Sequence, residues 1–127
     1  FGYSHGGGST YDLAERLDSN RATIGTFTIP FTAYIDAVEN DSDVDMDQEH
    51  KRPPGTNYHV NYYQEGVANP LDPDFDWGLD GGPTDAPGAN HEVDVDDPTP
   101  TETHYTVDDE ATILNGIETR LTPRVTR

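Results

Sequence analysis

The sequence predicts a mainly β fold, a small antiparallel sandwich or barrel with long acidic loops and one or two short helices. Three observations lead there. Residues 22–38, ATIGTFTIPFTAYIDAV, are the one long run with enough apolar side chains to seed a core, and they are rich in the β-branched and aromatic residues that suit a pleated, half-buried surface. Residues 57–65, NYHVNYYQE, alternate with the period of a strand. The stretches between the apolar runs are dense in glycine, proline and aspartate, the composition of turns and loops.

The chain has 127 residues, room for one domain, and no cysteine, which excludes a disulfide framework and a thiolate site. Leu, Ile, Val and Phe together make up fewer than one residue in five, and the formal charge is −18. Below an apolar share of about 20%, high net charge points to disorder in ordinary buffer. The kind of charge alters that expectation. Lys51 is the only lysine, six arginines supply the other basic groups, and Asp outnumbers Glu about two to one. Many acids, almost no lysine and abundant threonine resemble the proteome style of haloarchaea, across the whole chain but without a family motif. At about 1 M salt the screening length falls to about 3 Å, so the carboxylates barely repel one another and a thin core suffices. Phosphate binding needs a basic patch that this composition lacks, so nucleic acid is not an expected partner. No apolar stretch approaches a membrane span, so no membrane insertion is expected.

Taken in order, residues 1–8, FGYSHGGG, read as a flexible N-terminal arm with Phe1 and Tyr3 as anchors, followed by a single β-rich domain over 9–127. His5-Gly6-Gly7-Gly8 resembles the oxyanion-hole segment of some esterases. That segment calls for a nucleophile elbow, Gly-x-Ser-x-Gly, later in the chain, and none follows it; the chain is also short for that hydrolase fold. Ser9 to Asp18 reads as a short helix capped by Ser9 or Thr10, with Leu13, Ala14 and Leu17 on one face. Pro30 splits the central run into strands 22–29 and 31–38.

Residues 39–56 form a long acidic loop in which Asp41, Asp43, Asp45 and Asp47 alternate with other residues, the spacing of the start of a calcium loop. Met46 and Arg52 stand where that loop needs glycine and glutamate, so a hydrated acidic loop is the stronger reading. Asn40-Asp41-Ser42 also forms a glycosylation triplet, which hints at an outward-facing loop. In the strand 57–65, Tyr58, Val60 and Tyr62 share one face and His59, Asn61 and Tyr63 the other, with Tyr63 suited to an interface.

The second long loop, 66–90, repeats the acidic theme with Asp72, Asp74, Asp76 and Asp80, and Gly78 falls one place late for a calcium loop. Phe75, Trp77 and Leu79 in that loop predict a cover for the sheet or a partner contact. Val93 and Val95 place a short edge strand within 91–97, and residues 103–107 are a further strand candidate. Residues 108–122 carry two signals. Ile113, Leu114, Ile117 and Leu121 form a helical stripe, whereas Asn115-Gly116 is a strong hairpin turn; the balance tips slightly to helix. Arg120, Arg124 and Arg127 crowd a basic tail suited to bidentate contacts with the acids of other copies.

These features predict a non-enzymatic structural or interaction subunit of a larger haloarchaeal assembly, a capsid, tail or cell-surface component located on a virion or at the cell surface. Its partners are other protein subunits, in a homo- or hetero-oligomer. The alternative is a calcium-stabilised extracellular binding module, calcium being the one cofactor the acidic spacing admits. An acid–base enzyme is not expected, because among 25 carboxylates nothing singles out a pair.

Overall fold

The structure, a computed structural model, describes residues 1–38, 48–64, 71, 79–95 and 103–125. It overturns the antiparallel sandwich. Four strands, β1 (Gly2–Tyr3), β2 (Thr32–Ile35), β3 (His59–Tyr63) and β4 (His91–Asp94), form one sheet in the order β1-β2-β3-β4, and every pairing is parallel. The reason lies in the connections. Antiparallel neighbours are joined by tight turns, but parallel ones need a crossover of a dozen or more residues. Here the connections run over 4–31, 36–58 and 64–90. Burial fits the same pattern: Phe31 to Val38 is buried at every position, as in the middle of a sheet covered on both faces.

The two faces differ in chemistry. One carries Ala33, Ile35, Val60 and Tyr62, which with Phe31 and Val107 pack against Ile113 and Ile117 of helix α3 (Ala111–Leu121). Tyr3, Tyr58, Val93, Val95 and Leu121 extend this cluster at its margins. The other face carries Thr32, Tyr34, His59 and Asn61, all buried. Tyr34 donates to the carbonyl of Lys51 at 3.1 Å, and burial, with Glu49 and Tyr11 of helix α1 (Gly6–Ser19) beside it, pushes its hydroxyl pKa up. Helices therefore flank the sheet on both sides, and a modest apolar set serves because the other half of the interior is polar, with Tyr34, Asn61 and the Thr32–His59 pair hydrogen-bonded.

Several elements depart from the sequence reading. Residues 1–8 are not an arm: Gly2–Tyr3 pairs with Tyr34–Ile35, and α1 starts at Gly6. The segment read as strand 22–29 opens with a helical turn, α2 (Arg21–Ile24). Local contacts override β propensity there. Arg21 bonds Asp18 at 2.6 Å, donates to the Phe27 carbonyl at 2.7 Å and lies 4.3 Å above the Phe27 ring. Only Ile29 retains an isolated bridge, to Thr56. Residues 103–107 form a turn running into a 3-10 turn, Val107–Asp109, because the Thr106 hydroxyl accepts from the Thr103 N–H at 3.0 Å and closes the backbone on itself. The tail is helical, with the Glu110 side chain capping the Thr112 N–H. No helix among the described residues is long and apolar enough to cross a membrane.

The Asn115-Gly116 pair, a turn signal in the sequence, sits inside α3 for a steric reason. A methyl at Gly116 would collide with the Tyr62 hydroxyl, which Arg120 also contacts at 3.4 Å. Helix propensity alone would make Gly116→Ala stabilising by about 1 kcal/mol. The expected result is instead a loss of about 1–2 kcal/mol from overpacking, read by denaturant unfolding in molar salt. In a Tyr62→Phe background, where the hydroxyl is gone and the nearest ring carbon lies 3.2 Å from the added methyl, the same substitution is expected to cost clearly less. An unchanged cost would refute the steric account.

Candidate functional site

Parallel strands all end on the same side, and in open α/β sheets ligands bind beyond those carboxyl ends. In this chain the first residue past each of three adjacent strands is polar: Ser4 after β1, Asp36 after β2 and Gln64 after β3. The ladder carries on through them, with Ser4 N–H on the Ile35 carbonyl at 3.2 Å and Asp36 N–H on the Tyr62 carbonyl at 2.7 Å. The turn at 103–106 brings His104 to the same edge.

These side chains form a connected line. The Ser4 hydroxyl lies 2.9 Å from His104 Nε2, and His104 Nδ1 lies 2.8 Å from Asp36 Oδ2. An ionised carboxylate only accepts, so Nδ1 carries the proton and donates it to Asp36, leaving Nε2 to accept from the Ser4 hydroxyl. Exposure falls along the line. Ser4 is half-buried, His104 is 4% exposed and Asp36 is fully buried. The oxygens of Asp36 are satisfied by neutral donors besides His104: Gly81 N–H at 2.7 Å and Gln64 N–H at 3.4 Å on Oδ1, and Gln64 Nε2 at 2.9 Å on Oδ2. A buried carboxylate is tolerable only with such partners.

The backbone marks the same two residues. Ser4 (φ 55°) and Asp36 (φ 44°) are the only non-glycine residues with positive φ among the described residues. Left-handed conformations are costly for residues with a Cβ, and they gather where side-chain placement outweighs the strain. Ser4 sits on a sharp strand-to-helix turn. Gly2 is required there, because a side chain on it would run into the Gly6 carbonyl across the turn. The helix that follows starts at Gly6, so the positive end of its dipole lies beside Ser4, and its Gly7 N–H donates to the Ser4 carbonyl at 2.9 Å.

Tyr3 links the turn to the histidine. Its ring stacks on His104 with centroids 5.1 Å apart, and its hydroxyl donates to the His104 carbonyl. Burial, reinforced by Asp108 and Asp36, raises the Tyr3 pKa and keeps that donor protonated. On its other side His104 meets Tyr105 edge-on at 5.8 Å, and Tyr105 is 64% exposed. The line thus runs from the buried Asp36 to a rim at the surface.

The structure sorts the residues named from sequence. Tyr3 belongs to this site, and Leu79 borders it, its carbonyl accepting from Gln64 Nε2 at 2.8 Å. Asp80 is exposed beside Gly81, and Tyr63 is half-buried at the end of β3. Phe1, 68% exposed, packs edge-on against Phe31 at the opposite end of the sheet, where Arg124 lies 3.5 Å above the Tyr58 ring. Arg120 holds the Gly116 carbonyl at 2.9 Å and reaches His91. Asp41, Asp43, Asp45, Asp47, Asp72, Asp74, Asp76, Phe75, Trp77 and Arg127 lie outside the described residues. Among the described residues no group of three or more His, Asp or Glu side chains is arranged to hold a metal ion.

Ser4, Asp36 and His104 are absent from the sequence-based set, yet one signal is plain. Gly2-Tyr3-Ser4-His5-Gly6 is itself a Gly-x-Ser-x-Gly, placed before the glycine triplet rather than after it. The triplet belongs to the turn and to the start of α1, not to a separate oxyanion segment. No family model matches the chain, and neither does a curated protein or a solved structure.

Proposed function

We propose that the chain carries a serine-hydrolase centre acting by acyl transfer, with a carboxylic ester as the simplest substrate. The observation that carries this reading is the unbroken Ser4–His104–Asp36 line, with its nucleophile on a strained strand–turn–helix elbow. The chain order serine, acid, histidine and the parallel strand before the elbow resemble the arrangement of α/β-hydrolases. The reading stands in place of the non-enzymatic subunit expected from composition.

The chemistry follows from the geometry. Ser4 Oγ attacks the ester carbonyl carbon as His104 Nε2 takes its proton, and Asp36 steadies the imidazolium that forms. Negative charge develops on the carbonyl oxygen. The backbone N–H of His5, the residue after the nucleophile, and the N-terminal end of α1 supply positive potential there. Collapse of the tetrahedral species breaks the bond to the alcohol, which leaves with the proton from His104. Water, deprotonated by the same nitrogen, then attacks the acyl–Ser4 ester, and the acid is released with Ser4 Oγ reprotonated.

A fluorophosphonate probe tests this on the folded chain in molar salt. One adduct per chain is expected, located on Ser4 by peptide mass spectrometry and absent from Ser4→Ala. A folded chain that takes no adduct would remove the hydrolase reading and return the protein to a non-catalytic assembly subunit.

A further inference from the structure

We infer that Gln64 is a positioning residue for the proposed reaction, holding the Asp36 carboxylate in the one orientation that serves His104; the inference rests on the serine-hydrolase reading. Asp36 stands just past β2 at a turn with a positive φ. What braces it comes from β3 and from the loop before β4. The two protons of the Gln64 side-chain amide are both committed, one to Asp36 Oδ2 at 2.9 Å and one to the Leu79 carbonyl at 2.8 Å. The Gln64 backbone N–H reaches Oδ1 at 3.4 Å, where Gly81 N–H also donates at 2.7 Å. Gln64 is fully buried and therefore excludes water from the carboxylate while it aligns it.

The residue type is as informative as the position. Oδ2 is shared between His104 and Gln64, so the group at position 64 must donate without carrying charge. Glutamine does so at any pH. A glutamate there would face Asp36 as a like charge unless it kept a proton, and two carboxylates in contact hold one proton between them far above the usual range. Gln64 reaches the reacting atoms only through Asp36 and His104. Its loss is therefore expected to lower kcat and leave KM unchanged, whereas a substrate-binding residue would raise KM.

The test compares hydrolysis of a p-nitrophenyl ester by the full chain, Gln64→Ala and Gln64→Glu from acid to alkaline pH. Gln64→Ala is expected to lower kcat about 100-fold at every pH, the scale of a misplacement of about 1 Å in a catalytic array. Gln64→Glu is expected to be as slow at alkaline pH, where both carboxylates are ionised, and to recover relative to the unsubstituted chain as the pH falls and the pair takes up its shared proton, which restores a donor. A Gln64→Glu ratio that does not change with pH would overturn the inference, because a residue that only fills space has no reason to follow protonation. In the unsubstituted chain the Gln64 side-chain NH2 is expected to exchange slowly with solvent, a readout that needs no variant; rapid exchange would overturn the inference as well. If the unsubstituted chain labels on Ser4 while the Gln64 variants turn over normally, only the role of Gln64 falls. If it never labels, the hydrolase reading falls and this inference with it.

Discussion

Asp36→Asn is expected to cut ester turnover about ten-thousand-fold while leaving the fold in place. The backbone argument favours a clean result, since Asn is among the few residues that tolerate the left-handed conformation Asp36 adopts (φ 44°). An amide oxygen at Oδ1 still accepts from Gly81 N–H, but the amide nitrogen then faces two donors, His104 Nδ1 and Gln64 Nε2. Two donors cannot share that 2.8 Å contact, so the imidazole shifts its proton to Nε2 and points N–H at Ser4, where an acceptor is needed. The loss is therefore mainly one of tautomer, with the buried hydrogen bond from Gln64 given up beside it. Steady-state kinetics with a circular-dichroism control checks it, with Asp85→Asn as the comparison. Asp85 is exposed, and its replacement is expected to leave the rate unchanged. An Asp36→Asn chain that is folded and fully active would show that His104 is not the base held in tautomer by Asp36.

The contrast between those two aspartates shows why the site was only half legible. Among 25 acids, spacing cannot distinguish a carboxylate at the end of a central strand from one in a loop, and Asp36 closes an ordinary-looking run, TAYID. What distinguishes it is burial and the arrival of His104 from 68 residues away, which is long-range information. His104 sat in a segment rich in β-formers, and Thr103 and Thr106 around it closed that segment into a turn. Ser4 was legible, because a glycine two residues to each side is a local pattern.

For the fold, apolar patterning located β2, β3 and β4, including β4 at an edge, and the stripe in α3 outweighed its turn dipeptide. Strand direction was missed, because side-chain alternation is the same in parallel and antiparallel sheets. Direction was written in connection length, and loops dense in proline and aspartate obscured it.

Acid is expected to weaken the fold through His59, at the opposite end of β3 from Gln64. His59 is fully buried, its Nδ1 is 2.9 Å from the Thr32 hydroxyl, the Tyr34 ring stands edge-on at 4.5 Å, and Nε2 has no partner. Burial, with Arg52 nearby as a second cause, lowers its pKa from 6.5 to about 4. The ring is thus neutral in the folded chain at pH values where the unfolded chain already binds the proton. Stability from this group is complete above pH 6.5 and is lost as pH falls toward about 4. The drop is about 3 kcal/mol over that window, from the size of the shift. His91 acts in the same sense, its pKa lowered by burial and by Arg120, though its ring is partly exposed.

Denaturant midpoints of the unsubstituted chain and His59→Leu, measured in molar salt across that window, check the expectation. Carboxylate titration is common to both chains, so it cancels in the difference. His59→Leu is expected to be less stable at neutral pH, where it leaves the Thr32 hydroxyl unpaired, and to close the gap as pH falls. Parallel curves would mean that the buried ring takes no part in the acid transition. A closing gap would mean that the polar interior which lets so few apolar residues suffice also sets the lowest pH at which the Ser4–His104–Asp36 line stays assembled.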